Sequence, residues 1–121
     1  MKATSLRTFR QFLAGRKSEL FTQLARVEQE VRTSPRADPA DFGDQSAHTF
    51  NRELLFAQAD ANRSMLRMVQ AALLRIEQGT FGECERCGEE IGLARLKAIP
   101  WARCCVACQE KLERRDRYAA A

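Results

Sequence analysis

Four cysteines, arranged as two close pairs, constrain this chain more than any other feature. Cys84-Glu85-Arg86-Cys87 is followed, after a 17-residue spacer that opens with Gly88, by Cys105-Val106-Ala107-Cys108. Two residues between cysteines let one tight turn present both sulfurs to the same ion. Gly88 eases the sharp bend that such a turn requires. A spacer of this length between two such pairs falls in the zinc range, and thiolates suit the tetrahedral shell of that ion. One zinc ion held by Cys84, Cys87, Cys105 and Cys108 is therefore expected. Four thiolates fill the shell and leave no position for water or substrate, so the ion is structural rather than catalytic.

Other readings of the cysteines fit less well. A redox Cys-x-x-Cys needs a strand-helix setting that the surrounding pattern lacks. An iron–sulfur cluster can use four cysteines, but the paired spacing suits zinc better. Five cysteines make an odd number for a disulfide framework. Cys104 could replace Cys105, because three intervening residues are also permitted before Cys108. The symmetric pairing favours Cys105 and leaves Cys104 as a spare thiol.

Nothing else in the chain points to catalysis. His48 is the single histidine and reads as a surface or capping residue. No Ser/His/Asp set, glycine-rich phosphate loop or carboxylate pair in a cleft is evident, so no enzyme is expected. No apolar run reaches the ~18 residues of a membrane span. The first twenty residues, broken by Arg and Lys, lack the hydrophobic core of a signal peptide. A cytoplasmic protein is expected, in which thiols stay reduced and bind metal.

The rest of the chain reads as mainly α. Only 6 Gly and 3 Pro occur in 121 residues, and 30% are charged, which favours helix. Leu6, Leu13, Leu20 and Val27 recur every seventh residue, with Leu24 and Val31 at the partner spacing, so one helix is expected from about 4 to 33. Phe9, Phe12 and Phe21 should widen its apolar stripe. Two prolines, a glycine and three aspartates between Ser34 and Asp44 mark a turn. A second helix is expected from about Asp44, capped by Asp44 or Ser46, to Gln78, with Gly79 as terminator. Its apolar positions read as Phe50, Leu54, Ala57, Ala61 and Met68, then Leu66, Val69, Leu73 and Ile76. Two such helices joined by a short turn should fold back as a long antiparallel hairpin of ~45 Å, with the turn far from the cysteines. Ile91, Leu93, Leu96, Ile99 and Trp101 should pack around the metal, and a short charged helix should follow Cys108. Two parts are expected: residues 1–79, a helical hairpin with an acidic tip at about 34–46, and residues 80–121, a zinc finger with a C-terminal helix.

Charge is uneven along this plan. Residues 1–33 hold seven Lys/Arg against three Glu, and residues 37–60 hold five Asp/Glu against Arg52 alone, within a net +4. That net charge is weak support for nucleic-acid binding. A second reading remains on composition: a zinc-dependent nucleic-acid or protein-interaction module using Arg103, Arg114, Arg115 and Arg117.

The run Gly79-Thr80-Phe81-Gly82-Glu83-Cys84-Glu85-Arg86-Cys87-Gly88-Glu89-Glu90-Ile91-Gly92, with Arg95-Leu96 and Pro100-Trp101-Ala102-Arg103-Cys104-Cys105-Val106-Ala107-Cys108, resembles the zinc finger of the DksA/TraR family. The resemblance covers roughly residues 41–115 and places Cys105 as the third ligand. It implies a bacterial transcription regulator that binds RNA polymerase rather than promoter DNA, inserting a coiled-coil hairpin into the secondary channel. Acidic tip residues of the family then lie near the active centre. The family's tip motif is Asp-x-x-Asp-x-Ala. A gapless count puts Asp41, Asp44 and Ser46 on its positions, with serine in place of alanine. A second register uses Asp38 and Asp41, with Gly43 at the alanine position. Where some members carry basic residues for guanosine tetraphosphate, this chain has Met68, Ile99 and Gln109, so strong dependence on that alarmone is not expected. The implied partner is RNA polymerase, with no sequence-specific DNA contact, no membrane and a monomeric state.

Overall fold

The computed structural model describes residues 1–120. The fold is mainly α, with four helices: α1 Ala3–Thr33, α2 Phe42–Gln78, α3 Leu93–Ala98 and α4 Val106–Ala120. Among the described residues the only β pairing is one antiparallel bridge between Glu83 and Glu90. No helix among them is long and apolar enough to cross a membrane.

The limits of the long helices follow from local chemistry. Helix α1 stops at Thr33, two residues before Pro35, because proline excludes helical geometry at the residue preceding it. Helix α2 starts two residues earlier than Asp44, and its cap is Asp41 rather than Asp44 or Ser46. The Asp41 carboxylate accepts a hydrogen bond from the Asp44 N–H at 3.1 Å, the bond an N-cap makes to the third helical residue. Asp44 and Ser46 lie inside the helix, and Asp44 places a negative charge in the first turn, where the helix dipole favours it. At the other end Gly79 takes φ 77°. The Thr80 N–H reaches the Arg75 carbonyl at 3.0 Å and the Gly79 N–H reaches that of Ile76 at 3.3 Å. This double closure needs a left-handed residue, which glycine supplies without strain.

The chain forms two compact units. One comprises Met1–Gly15 and Met68–Ala121, the other Arg16–Arg67. The first unit is built on Phe9 and Leu13 of α1, Val69, Ala72 and Ile76 of α2, and Phe81, Ile91, Leu96 and Ala102 of the segment beyond, all buried. The Phe9 and Phe81 rings lie 5.3 Å apart and tilted by 52°, a favourable aromatic pairing. The second unit holds Leu20 and Val27 of α1 against Ala59 and Leu66 of α2. A Glu28–Arg63 ion pair at 3.3 Å joins the two helices there, an exposed contact of small energetic weight.

The heptad of α1 is the buried one: Leu13 is 0% exposed and Leu20 1%. Two expectations about the stripes fail. Phe12 and Phe21 are about half exposed, because they stand one residue off the Leu13 and Leu20 positions and point away from the seam. On α2, Phe50, Leu54, Ala57, Ala61 and Met68 are all exposed. The second expected set, Leu66, Val69, Leu73 and Ile76, is at least half-buried, and the seam reaches it through Leu55, Ala59 and Asn62, with Gln45, His48 and Arg52 continuing it towards the turn. His48 is half-buried in that row, neither a cap nor a free surface residue. Polar residues occupy seam positions near the turn, so a search for apolar periodicity settles on the wrong face over the first half of α2.

Leu20→Ala should leave a cavity in the second unit and lower stability by about 2–4 kcal/mol, whereas Phe21→Ala should change it by less than about 1 kcal/mol. Chemical denaturation of the two variants followed by circular dichroism checks the contrast.

Candidate metal centre

The segment between α2 and α4 is a series of tight turns that carry the cysteines. Cys84 and Cys87 lie on a turn closed by the Gly88 N–H bonding to the Cys84 carbonyl at 3.0 Å, with Gly88 at φ 76°. The Cys84 N–H donates to the Glu89 carbonyl at 2.8 Å, and the Ile91 N–H to that of Gly82 at 2.8 Å. The second pair sits at the start of α4. Cys105 immediately precedes the helix and Cys108 is in its first turn, and the Gln109 N–H bonds to the Cys105 carbonyl at 2.9 Å. The two halves are tied together by the Glu85 N–H donating to the Arg103 carbonyl at 2.9 Å.

These turns bring one sulfur from each of Cys84, Cys87, Cys105 and Cys108 within 4.8 Å of one another. Cys84 and Cys108 are buried, Cys105 is half-buried and Cys87 is exposed. The main-chain N–H of Cys87, then that of Cys105, hold the Cys84 thiol down to about 5. In the same cluster the Cys105 sulfur, followed by burial, pushes the Cys108 thiol up to about 12. Sulfurs this close resist losing all their protons together unless a cation neutralises them. A tetrahedral set of soft donors, poised in part as thiolate, fits one zinc ion, and when bound the ion supplies a cross-link rather than a reactive centre. Cys104 stays outside the set. Its side chain is buried, and burial, with Cys84 nearby, raises its thiol above the ordinary value.

One supporting residue escapes pattern reading. Arg75 on α2 is buried, and its guanidinium donates to the Trp101 and Ala102 carbonyls at 3.4 Å each and to a Glu85 carboxylate oxygen at 3.3 Å. Burial pulls its pKa below the ordinary value, and Glu85 offsets this in part. Two main-chain carbonyls just before the second cysteine pair thus take their partners from the last turns of α2. The sequence signal was an arginine set between Ala72 and Ile76 on the apolar face, but its partners lie 10 to 27 residues further on. The short helix α3 was likewise not anticipated. It starts after Gly92 at φ 81° and seats Leu96, which is 1% exposed, in the core around the cysteines. Ile91, Ile99 and Trp101 are at least half-buried there, whereas Leu93 is largely exposed.

The acidic residues singled out from sequence gather in the other unit, on the turn between α1 and α2 and in the opening turns of α2. Asp38, Asp41, Asp44 and Ser46 are all exposed. Asp44 Oδ2 accepts from the Asp38 N–H at 2.7 Å, and Asp38 Oδ1 from the Ala40 N–H at 3.0 Å. With the Asp41 cap, each carboxylate holds the turn through one oxygen. Of the positions compared with alarmone contacts, Met68 is exposed, and Ile99 and Gln109 are half-buried.

Comparison with known proteins agrees with this arrangement. Residues 79–114 match the prokaryotic dksA/traR C4-type zinc finger, and residues 9–76 match the N-terminal domain of DnaK suppressor protein-like proteins. The chain is 34% identical to the RNA polymerase-binding transcription factor DksA of Caulobacter vibrioides over 97% of its own length and 82% of that protein's. It is 47% identical to a protein of Aquifex aeolicus over 64% of its own length, spanning 53% of that relative. Among solved structures, transcription factor DksA2 from Pseudomonas aeruginosa superposes with a TM-score of 0.83 at 29% identity, covering 97% of this chain and 89% of that one.

Three outcomes are expected. Removing zinc with a strong chelator, or replacing Cys84 by serine, should unfold the cysteine segment, visible as lost tertiary signal from Trp101. Zinc affinity should fall as pH is lowered, because protons compete for the thiolates, and a colorimetric zinc-release titration reads this directly. Arg75→Met should cost about 1–3 kcal/mol by leaving the buried Ala102 carbonyl and the part-buried Trp101 carbonyl without this donor, measured by thermal unfolding of the zinc-loaded protein.

Proposed function

The chain belongs to the DksA/TraR family, and from that premise we propose that it is a transcription regulator that binds bacterial RNA polymerase through the secondary channel. In this reading residues 80–121 form the zinc finger and C-terminal helix, with Cys84, Cys87, Cys105 and Cys108 as ligands to one structural zinc. Residues 1–79 form a helical hairpin whose tip carries Asp41, Asp44 and Ser46, with Asp38 beside them, to the active centre. The protein works in the cytoplasm as a monomer and acts by modulating initiation, not by catalysis or by reading promoter sequence.

The observation that supports this best is the pairing, in one chain, of a four-sulfur cluster with an exposed turn bearing three carboxylates. Each carboxylate uses one oxygen to hold the turn, so a second oxygen of each remains on the side chain. Clustered carboxylates can approach a hard cation or basic side chains of a partner. The uncharged Met68, Ile99 and Gln109 support weak dependence on guanosine tetraphosphate, because a polyphosphate is held chiefly by cationic donors.

Asparagine keeps the capping oxygen but removes the charge, so the double variant Asp41→Asn, Asp44→Asn separates the tip's chemistry from its fold. It should still be retained by immobilised RNA polymerase, within about twofold of wild type, yet lose its effect on transcription in a purified system. Full regulation by the variant overturns the tip assignment. Failure of the wild-type protein to bind polymerase overturns the whole reading.

A further inference from the structure

Helix α2 carries a second heptad row, and that row lies open. Phe50, Leu54, Ala57, Ala61, Ser64 and Met68 are spaced alternately by four and three residues, the a and d period of a coiled coil. All six are exposed, Phe50 by 65% and Leu54 by 50%. None is charged, although 30% of the chain is. Single exposed apolar residues are ordinary, but a row at coiled-coil spacing along about 27 Å of helix is not. Two charges flank it. Glu53 stands just before Leu54 and Arg67 just before Met68, so both hold the same flanking position of the heptad. Among the described residues neither forms an ion pair. Arg67 donates instead to Ser64 Oγ at 3.0 Å, which lays its guanidinium beside the row.

We propose that this row pairs with itself: in the free protein, two copies associate through α2 as a short antiparallel coiled coil. In an antiparallel pair an a residue meets a d residue and like flanks face each other. With Ala57 of one copy across from Ala61 of the other, Glu53 of each copy meets Arg67 of the other, and the contact is closed by a two-fold axis. The same register sets Phe50 against Met68 of the second copy, a ring–thioether contact, and Leu54 against Ser64. The small alanines at the centre let the helices approach closely. Other arrangements lose the charge match. In a parallel pair Glu53 would face Gln58 and Arg67 would face Ala72. Sliding the antiparallel pair by one heptad either sets Glu53 against Asp60 or leaves Phe50 with no partner in the row. In the favoured register Asp60 meets its own copy, but its carboxylate is already paired with Arg63 at 3.4 Å. The apolar core of this contact is small, so the dimer is reversible, with a Kd of about 10 µM. Pairing belongs to the free protein and needs no polymerase. It stands or fails separately from the regulatory reading, in which the monomer is the working form.

The test is sedimentation velocity of the full zinc-loaded chain, loaded from about 1 to about 100 µM, a range that brackets the expected Kd. The weight-average mass should rise from monomer to dimer across that series. Leu54→Glu places a charge inside the contact and should weaken pairing by about thirtyfold or more, leaving mostly monomer throughout. Phe21→Glu on α1 changes an equally accessible apolar residue off the row, makes the same change in charge, and should leave the dimer intact. Glu53→Arg alone and Arg67→Glu alone should each weaken pairing by about fivefold, and the two together should restore it, a rescue that only the antiparallel register gives. The proposal is overturned if the wild type stays monomeric at every concentration, if Phe21→Glu weakens pairing as much as Leu54→Glu, or if the double charge reversal pairs no better than the single ones. A monomeric wild type whose retention on immobilised RNA polymerase is lost in Leu54→Glu assigns the row to the polymerase instead and likewise overturns it. Retained zinc content and helical circular dichroism show that each variant is folded.

Discussion

Four thiols within 4.8 Å of one another are not a stable arrangement by themselves. Main-chain N–H groups hold Cys84 low, while the neighbouring Cys105 sulfur, followed by burial, pushes Cys108 high. A divalent ion turns this mutual repulsion into a cross-link, and metal binding then becomes folding free energy. Much of the segment beyond α2 depends on that exchange. Between Gly79 and Cys105 it has one six-residue helix and one isolated bridge, too little regular structure to hold itself.

The metal site does not stand alone in its unit. Its turns rest on a small apolar core in which Phe81 packs on Phe9 and Leu96 is almost wholly enclosed. Arg75 adds a polar tie by meeting main-chain carbonyls close to Cys105. A buried guanidinium is costly unless its donors find partners, so the same contacts that satisfy the arginine also locate the loop. The opening turns of α1, the closing turns of α2 and the cysteine loops thereby form one compact unit, although they are distant in sequence.

The acidic turn is organised on a different principle. Little apolar surface holds it. Aspartate oxygens take up the free N–H groups at and before the start of α2, which is the ordinary role of Asp beside Pro and Gly. Structural and functional uses of these carboxylates are compatible, because a cap occupies one oxygen and leaves the side chain exposed. The nearby seam of α2 is polar, with Gln45, His48 and Arg52 where apolar residues would be expected, while Phe50 and Leu54 face outward. Hydrophobic periodicity reports burial only where packing is apolar, and it misleads where a helix keeps its apolar side chains on the open face.

What could be read from residues alone was whatever is settled by local chemistry. The cysteine spacing predicted the four-sulfur cluster, the heptad of Leu6, Leu13, Leu20 and Val27 predicted α1, and Pro35 and Gly79, with a start placed near Asp44, bounded the helices to within a few residues. Each depends on short-range geometry: a turn, a cap, a period of seven. Tertiary structure decided the rest. It chose the buried face over the first half of α2, chose Asp41 as the cap of that helix, drew Arg75 to carbonyls far along the chain and seated α3. Those outcomes depend on which distant surfaces meet and on how buried polar groups find partners, and no local pattern carries that information.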